Sequence, residues 1–388
     1  YLGASGMAFL GSFRNFTSIV KSISTIGINN SIIKLFVENK EDRNELNVIF
    51  STFFWVFLLI SVTLAIFGVV LSKGISEYLF YTDIYSIPIQ LFSVLQPLIV
   101  INVFWMAIFN GLKEIKKIVI IQIVSNILIF CLTTFLIIYY NIFGALIAIA
   151  LSELIMLLVT YLFVKRDISF FTFNLKKIIS NKYINVIKKF ALMGLLSGIL
   201  VPLVTILIRN KIIDSNGIKE AGIWDATLRI SAYYMMFFSS GLTLYYLPKL
   251  ASLKTDLEFK KELFSYFKIF VPFFVLMIVI IYVFKSYLIQ FVFTAEFQGV
   301  DSLLKWQLLG DFFRVMTLAF GYQIVVKTMM KLYFFGEIFY NTIYYLLTIY
   351  LIKEYHVEGV MQAYFYTNVI HFIFILFMFR KLFFKPTT

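Results

Sequence analysis

Long uninterrupted apolar runs dominate this chain. Residues 49–71, 118–139 and 142–164 each come close to the ~20 apolar residues that a helix needs to cross a bilayer. Inside hydrocarbon every backbone N–H and C=O must be satisfied within the spanning structure, which leaves helices and closed barrels, and these runs lack the period-two alternation of barrel strands. The pattern predicts an all-α polytopic membrane protein with eleven helices, near 6–35, 47–71, 88–109, 118–139, 142–164, 190–213, 222–247, 267–290, 301–326, 334–352 and 358–379.

Charge adds orientation to that pattern. Of the 34 Lys and Arg residues, 22 fall in segments 38–46, 110–117, 165–189, 249–268, 327–331 and 380–388, against six on the opposite side (Lys73, Arg209, Lys211, Lys219, Lys285 and Lys353). Basic residues are retained on the cytoplasmic side of a bilayer, so the first set is expected to be cytoplasmic and the segment from Ser72 to Ile87 periplasmic. Basic residues placed this way account for the net charge of +13 without a nucleic-acid partner. A single cysteine, Cys131, and two distant histidines, His356 and His371, offer no disulfide framework and no zinc motif, and no motif calls for a cofactor. No signal-peptide pattern opens the chain, which begins at Tyr1, and an upstream helix is expected.

The basic segment 165–189 separates five helices from six. This predicts an N-terminal lobe over 1–164, an inter-lobe loop over 165–189 and a C-terminal six-helix lobe over 190–388, with twelve helices once the upstream one is counted. Segments 6–34 and 222–249 resemble each other weakly: each starts with a glycine, carries an arginine seven or eight residues later (Arg14, Arg229) and ends on a lysine. Repeats of this kind are common in transporters that hold substrate between two halves.

The remaining basic residues stand inside predicted helices, where a charge at the bilayer centre costs at least ~2.5 kcal/mol and normally faces protein or a wet cavity. Arg14, Ser18, Lys21, Thr25 and Asn29 recur at steps of three or four, one face of a helix, and predict a cavity that favours an anion. Arg229, Lys305 and Arg314 are further candidates for that cationic lining, with Asp225 and Asp311 as supporting carboxylates at helical spacing from Arg229 and Arg314. Glu153 stands midway along its helix with no opposite charge one turn away, and His371 lies in the last helix. Both are candidates for ion coupling, Glu153 on the condition that no cation from another helix meets it. Pro97, Pro202 and Pro272 predict kinks. Tyr233, Tyr245, Tyr246, Tyr340, Tyr344 and Tyr345 are candidates for stacking on sugar rings.

Several stretches carry a more particular likeness. Leu2–Gly6, Phe13–Phe16, Ile23–Asn30 and Lys34 resemble the second-helix region of the O-antigen translocases, the Wzx-type flippases of the superfamily that includes the MATE transporters. Tyr245–Leu250 resembles the end of their eighth helix, and Trp306–Phe313 with Lys327 and Lys331 the tenth helix and its exit. Asn110–Gly111 with Lys113, Lys116 and Lys117 fits the turn after the fourth. The resemblance implies two six-helix bundles and a substrate of undecaprenyl-pyrophosphate-linked oligosaccharide, moved across the bacterial inner membrane by alternating access. H+ or Na+ would serve as coupling ion, and other polysaccharide-assembly proteins as partners. A MATE-type cation-coupled exporter would share the fold but line its cavity with acidic residues. A membrane glycosyltransferase or polymerase would need a large periplasmic loop.

Overall fold

The computed structural model describes residues 2–25, 32, 35, 39, 42–167, 179–253 and 255–384, and among these it is helical throughout, with no strand. The helices are α1 (Gly3–Ser24), α2 (Arg43–Val70), α3 (Ser72–Phe80), α4 (Ser86–Val94), α5 (Gln96–Gly111), α6 (Ile115–Asp167) and α7 (Asn181–Asn216), then α8 (Ile218–Ser252), α9 (Asp256–Val283), α10 (Lys285–Val292), α11 (Val300–Val326), α12 (Met330–Met378) and α13 (Arg380–Phe384). Their ends follow local chemistry. Asp42 caps α2 by accepting from the N–H groups of Asn44 and Glu45 at 3.0 Å, and Thr255 with Glu258 closes a capping box on α9.

Among the described residues five helices are long and apolar enough to cross a membrane, and α4 with α5, bent by 47°, passes the same test as a pair. Two of the five, α6 and α12, span 50 and 49 residues in that test, enough for two crossings each. Each is broken in the middle, at Asn141 (φ 48°, ψ −130°) and at His356 (φ 52°, ψ −140°), where the expected pairs 118–139/142–164 and 334–352/358–379 meet. Helices α1, α7 and α8 fall outside this apolar set, and they carry Arg14 and Lys21, Arg209, and Asp225 and Arg229.

Three expectations change. The first helix was expected to reach residue 35, but α1 ends at Ser24, with Thr25 turned out of helical geometry (φ −118°, ψ 17°). Asn29 and Lys34 lie outside the described residues, as does most of 165–178. The segment from Ser72 to Ile87, expected to be loop, is largely the helix α3, closed by a left-handed Tyr81. Among the prolines, Pro97 sits at the first turn of α5, just after the bend at Leu95, whereas Pro202 and Pro272 lie inside continuous helices.

By internal contacts the chain forms two compact units, Tyr1–Leu2 with Phe9–Ile206, and Gly3–Ala8 with Leu207–Thr388. In the first, Phe50, Phe53 and Phe57 of α2 pack on Val100 and Phe104 of α5 and on Tyr183 of α7. A second cluster joins Phe13 of α1 to Phe80, Phe92, Ile99 and Leu146. In the second, α11 packs on α8, α9 and α12, with Tyr266 stacked on Phe270 and Tyr246 against both, and Phe259, Phe320 and Phe379 meeting nearer the helix ends.

The order of elements repeats. In each half a long helix breaks at one residue into a short one (α2 to α3 at Leu71, α9 to α10 at Phe284), and a helix broken at a positive-φ residue follows later (α6, α12). A shift of 215 positions carries Arg14 to Arg229, Asn141 to His356 and Gly144 to Gly359. The glycines have matching jobs, since a Cβ on Gly144 would stand 2.0 Å from the carbonyl oxygen of Leu136, and one on Gly359 would stand 2.3 Å from that of Leu351. Each break therefore needs a glycine three residues after its turn.

Candidate functional site

The polar face of α1 opens on a cavity of about 460 Å³ within the first unit. Arg14, Thr17, Ser18, Lys21, Ser22 and Thr25 form one wall, and the two legs of α6 form the other through Ile129, Thr133, Ala148, Ile149 and Ser152. The helical spacing of 14, 18, 21 and 25 thus marks a cavity-facing stripe. The Thr17 hydroxyl donates to the carbonyl of Arg14 at 3.0 Å, and the charged groups in that wall are Arg14 and Lys21.

Glu153, expected to stand alone on its helix, is met by Lys21. The ammonium donates to Glu153 Oε1, with the two side chains 35% and 15% exposed. Two residues assigned to different roles, anion binding and ion coupling, are therefore one pair, and the condition set for a lone buried carboxyl does not hold.

The second unit holds a cavity of about 350 Å³ lined in part by Ser231, Met235, Met236, Gln307, Arg314 and Tyr364. Asp311 lies fully buried beside it. Its Oδ2 accepts from Ser231 Oγ at 2.6 Å, from Gln307 Nε2 at 3.0 Å and from the Tyr234 hydroxyl, and its Oδ1 accepts from the Tyr364 hydroxyl at 2.6 Å. Arg314, the partner expected from helical spacing, approaches only to 4.0 Å and is 51% exposed. Four neutral donors thus carry the carboxylate, while the guanidinium stands at the cavity wall.

Asp225 was expected to hold Arg229, one turn along the same helix. Its carboxylate instead takes a two-point bond from Arg209 on α7, Nε to Oδ2 at 2.6 Å and Nη2 to Oδ1 at 2.7 Å. Arg209, counted from sequence among loop charges, is buried, with Trp224 stacked over its guanidinium at 5.5 Å. Arg229 is half-buried on α8. Lys305 does not line the second cavity: it is exposed and lies over the ring of Trp306, whose indole donates to Glu358 at 2.7 Å. His371 packs edge-on to Tyr340 at 5.3 Å and parallel to Phe374 at 6.3 Å, and lines neither cavity. The tyrosines divide as well, Tyr246 and Tyr344 being buried in ring clusters while Tyr233 and Tyr245 are exposed.

Sequence reasoning missed Arg209, Ser231, Tyr234, Gln307 and Tyr364. One of them had a signal, because Gln307 and Asp311 stand four apart and so share a helix face.

The chain is a bundle of membrane helices, two of them broken midway, and solved structures share its fold. The fold matches that of the lipid II flippase MurJ in an inward closed conformation, with a TM-score of 0.79 at 15% identity over 98% of this chain and 82% of that one. It also matches an inward-facing multidrug resistance MATE family transporter of the MOP superfamily, with a TM-score of 0.72 at 14% identity over 100% and 93%. The model of the polysaccharide biosynthesis protein family matches residues 1–254, and the chain belongs to that family. It is also similar to the lipid III flippase of Escherichia coli (strain K12), 23% identical over 377 residues, 95% of this chain and 89% of that protein.

Proposed function

We propose that this protein is a flippase that moves a lipid-linked oligosaccharide, carried on a polyprenyl pyrophosphate, across the bacterial inner membrane from its cytoplasmic to its periplasmic leaflet. The observation that carries this reading is the cavity of the first unit, where Arg14 and Lys21 of α1 line a space of about 460 Å³. A pyrophosphate offers oxygens that a guanidinium can bind with a planar fork of donors. The family of polysaccharide biosynthesis proteins and the similarity to a lipid III flippase point to the same class of cargo. Arg314 supplies a third cation, at the cavity of the other unit. No covalent step is required: the polar head passes between cationic positions while the lipid tail remains in hydrocarbon, and the two halves exchange access by rocking. A cationic lining disfavours the exporter of cationic compounds that the same fold also supports.

Binding of radiolabelled lipid-linked oligosaccharide to the purified protein tests the reading. Saturable binding displaced by unlabelled polyprenyl pyrophosphate and untouched by a cationic dye is the expected result. Displacement by the dye alone would refute it.

A further inference from the structure

The first cavity holds a pair that its architecture does not require. Lys21 and Glu153 come from α1 and α6, 132 residues apart, and join at the cavity wall, Lys21 being one of the lining residues. The shift of 215 positions places Met236 and Asn368 at the corresponding points of the second half. There the fold is kept without charge, since Asn368 donates to the carbonyl of Tyr364 at 2.8 Å and to the Tyr340 hydroxyl at 3.3 Å, and Met236 lines the second cavity. An acid at position 153 is thus a feature of this cavity and not of the repeat.

We propose that Lys21 and Glu153 form a charge-exchange device that couples binding of a phosphate-type anion to uptake of a proton. The inference rests on the flippase reading above. Without ligand, Glu153 neutralises Lys21. An anion entering the cavity takes over the ammonium through its own oxygens, and Glu153 is left partly buried without the ammonium that neutralised it, a change that favours uptake of a proton from water. On release of the anion the ammonium returns to Glu153 and the proton leaves. The surroundings favour that exchange. Among the described residues the charged groups lining the cavity are Arg14 and Lys21, both on α1. Helices α4 and α5, which pack on α6, carry no titratable side chain. On α6 itself the nearest titratable groups along the chain are Cys131, Tyr139 and Tyr140 before Glu153 and Tyr161 after it. Among the described residues no second acid lines the cavity.

Calorimetric titration of the purified full chain with inorganic pyrophosphate, repeated in buffers of different ionisation enthalpy, counts the protons taken up on binding. Wild type is expected to take up a fraction of a proton that grows as pH falls towards neutrality. Glu153→Gln removes the internal competitor, so it should abolish that extra uptake and tighten binding on the order of fivefold, as expected for loss of a partly exposed ion pair. Lys21→Met should weaken binding and also abolish the extra uptake. Equal proton uptake by wild type and Glu153→Gln, or weaker binding by Glu153→Gln, would overturn the exchange while leaving the flippase reading in place. Absence of pyrophosphate binding to wild type would overturn both.

Discussion

Arg209 and Asp225 hold each other by two parallel hydrogen bonds, at 2.6 and 2.7 Å, with side chains 1% and 6% exposed. The pair ties α7 to α8 within the second unit. Removing one partner of a buried ion pair leaves an uncompensated charge, at a cost of about 3–5 kcal/mol, whereas replacing both by apolar side chains is often nearly neutral. Asp225→Leu alone should therefore lower the unfolding temperature in detergent much more than Arg209→Met with Asp225→Leu. A double variant worse than both singles would contradict this account of the pair.

Asp311 makes a second prediction. Because four donors converge on its carboxylate, loss of one leaves the charge under-satisfied, and hydrogen bonds to charged groups contribute about 1.5–3 kcal/mol each. Tyr364→Phe should lower thermal stability by that order, and Asp311→Leu, which strands Ser231, Tyr234, Gln307 and Tyr364 together, by more. Circular dichroism melts of the purified variants check the ranking. An unchanged melt for Tyr364→Phe would show that its hydroxyl bond contributes nothing.

Two glycines of α8 should behave in opposite ways. A Cβ on Gly222 would fall 1.8 Å from the carbonyl oxygen of Ala4, so Gly222→Ala must push the first turn of α1 away, with an overpacking cost of about 1–3 kcal/mol. Gly241 has nothing within 4 Å of the same position, and Gly241→Ala should gain roughly 0.5–1 kcal/mol from helix propensity. Melting temperatures that move in the same direction would refute the close approach at Gly222.

The distribution of basic residues predicts topology. In a Cys131→Ala background, a cysteine placed in 165–189 should resist a membrane-impermeant reagent in intact cells, and one placed at Ser86 should react. The reverse pattern would invert the orientation.

Much of the helical plan was legible because hydrocarbon enforces it: apolar runs mark spans, and the breaks at Asn141 and His356 fall where two runs abut. The stripe of Arg14, Ser18, Lys21 and Thr25 was legible for a similar reason, since helical spacing fixes which side chains share a face. Partners on other helices were not. Periodicity links Asp225 to Arg229 and Asp311 to Arg314, yet the structure gives Asp225 to Arg209 and Asp311 to Ser231, Tyr234, Gln307 and Tyr364. Lys21 meets Glu153 across 132 residues, a contact set by how α1 packs on α6 and by no local pattern. Arg209 was misread because it ends an apolar run, where a charge normally marks the membrane boundary.

The central claim is that the cations on α1 carry an anionic lipid-linked head group across the membrane. Its most direct test is the appearance of lipid-linked oligosaccharide on the periplasmic face of cells that depend on this protein, comparing wild type with Arg14→Ala, Lys21→Ala and the variant carrying alanine at Arg14, Lys21 and Arg229 at matched expression. The account predicts that the triple variant stalls export with substrate held on the cytoplasmic face, and that Arg14→Lys recovers only part of the loss at Arg14 because the bidentate fork is gone. Export by the triple variant at the wild-type rate would contradict it.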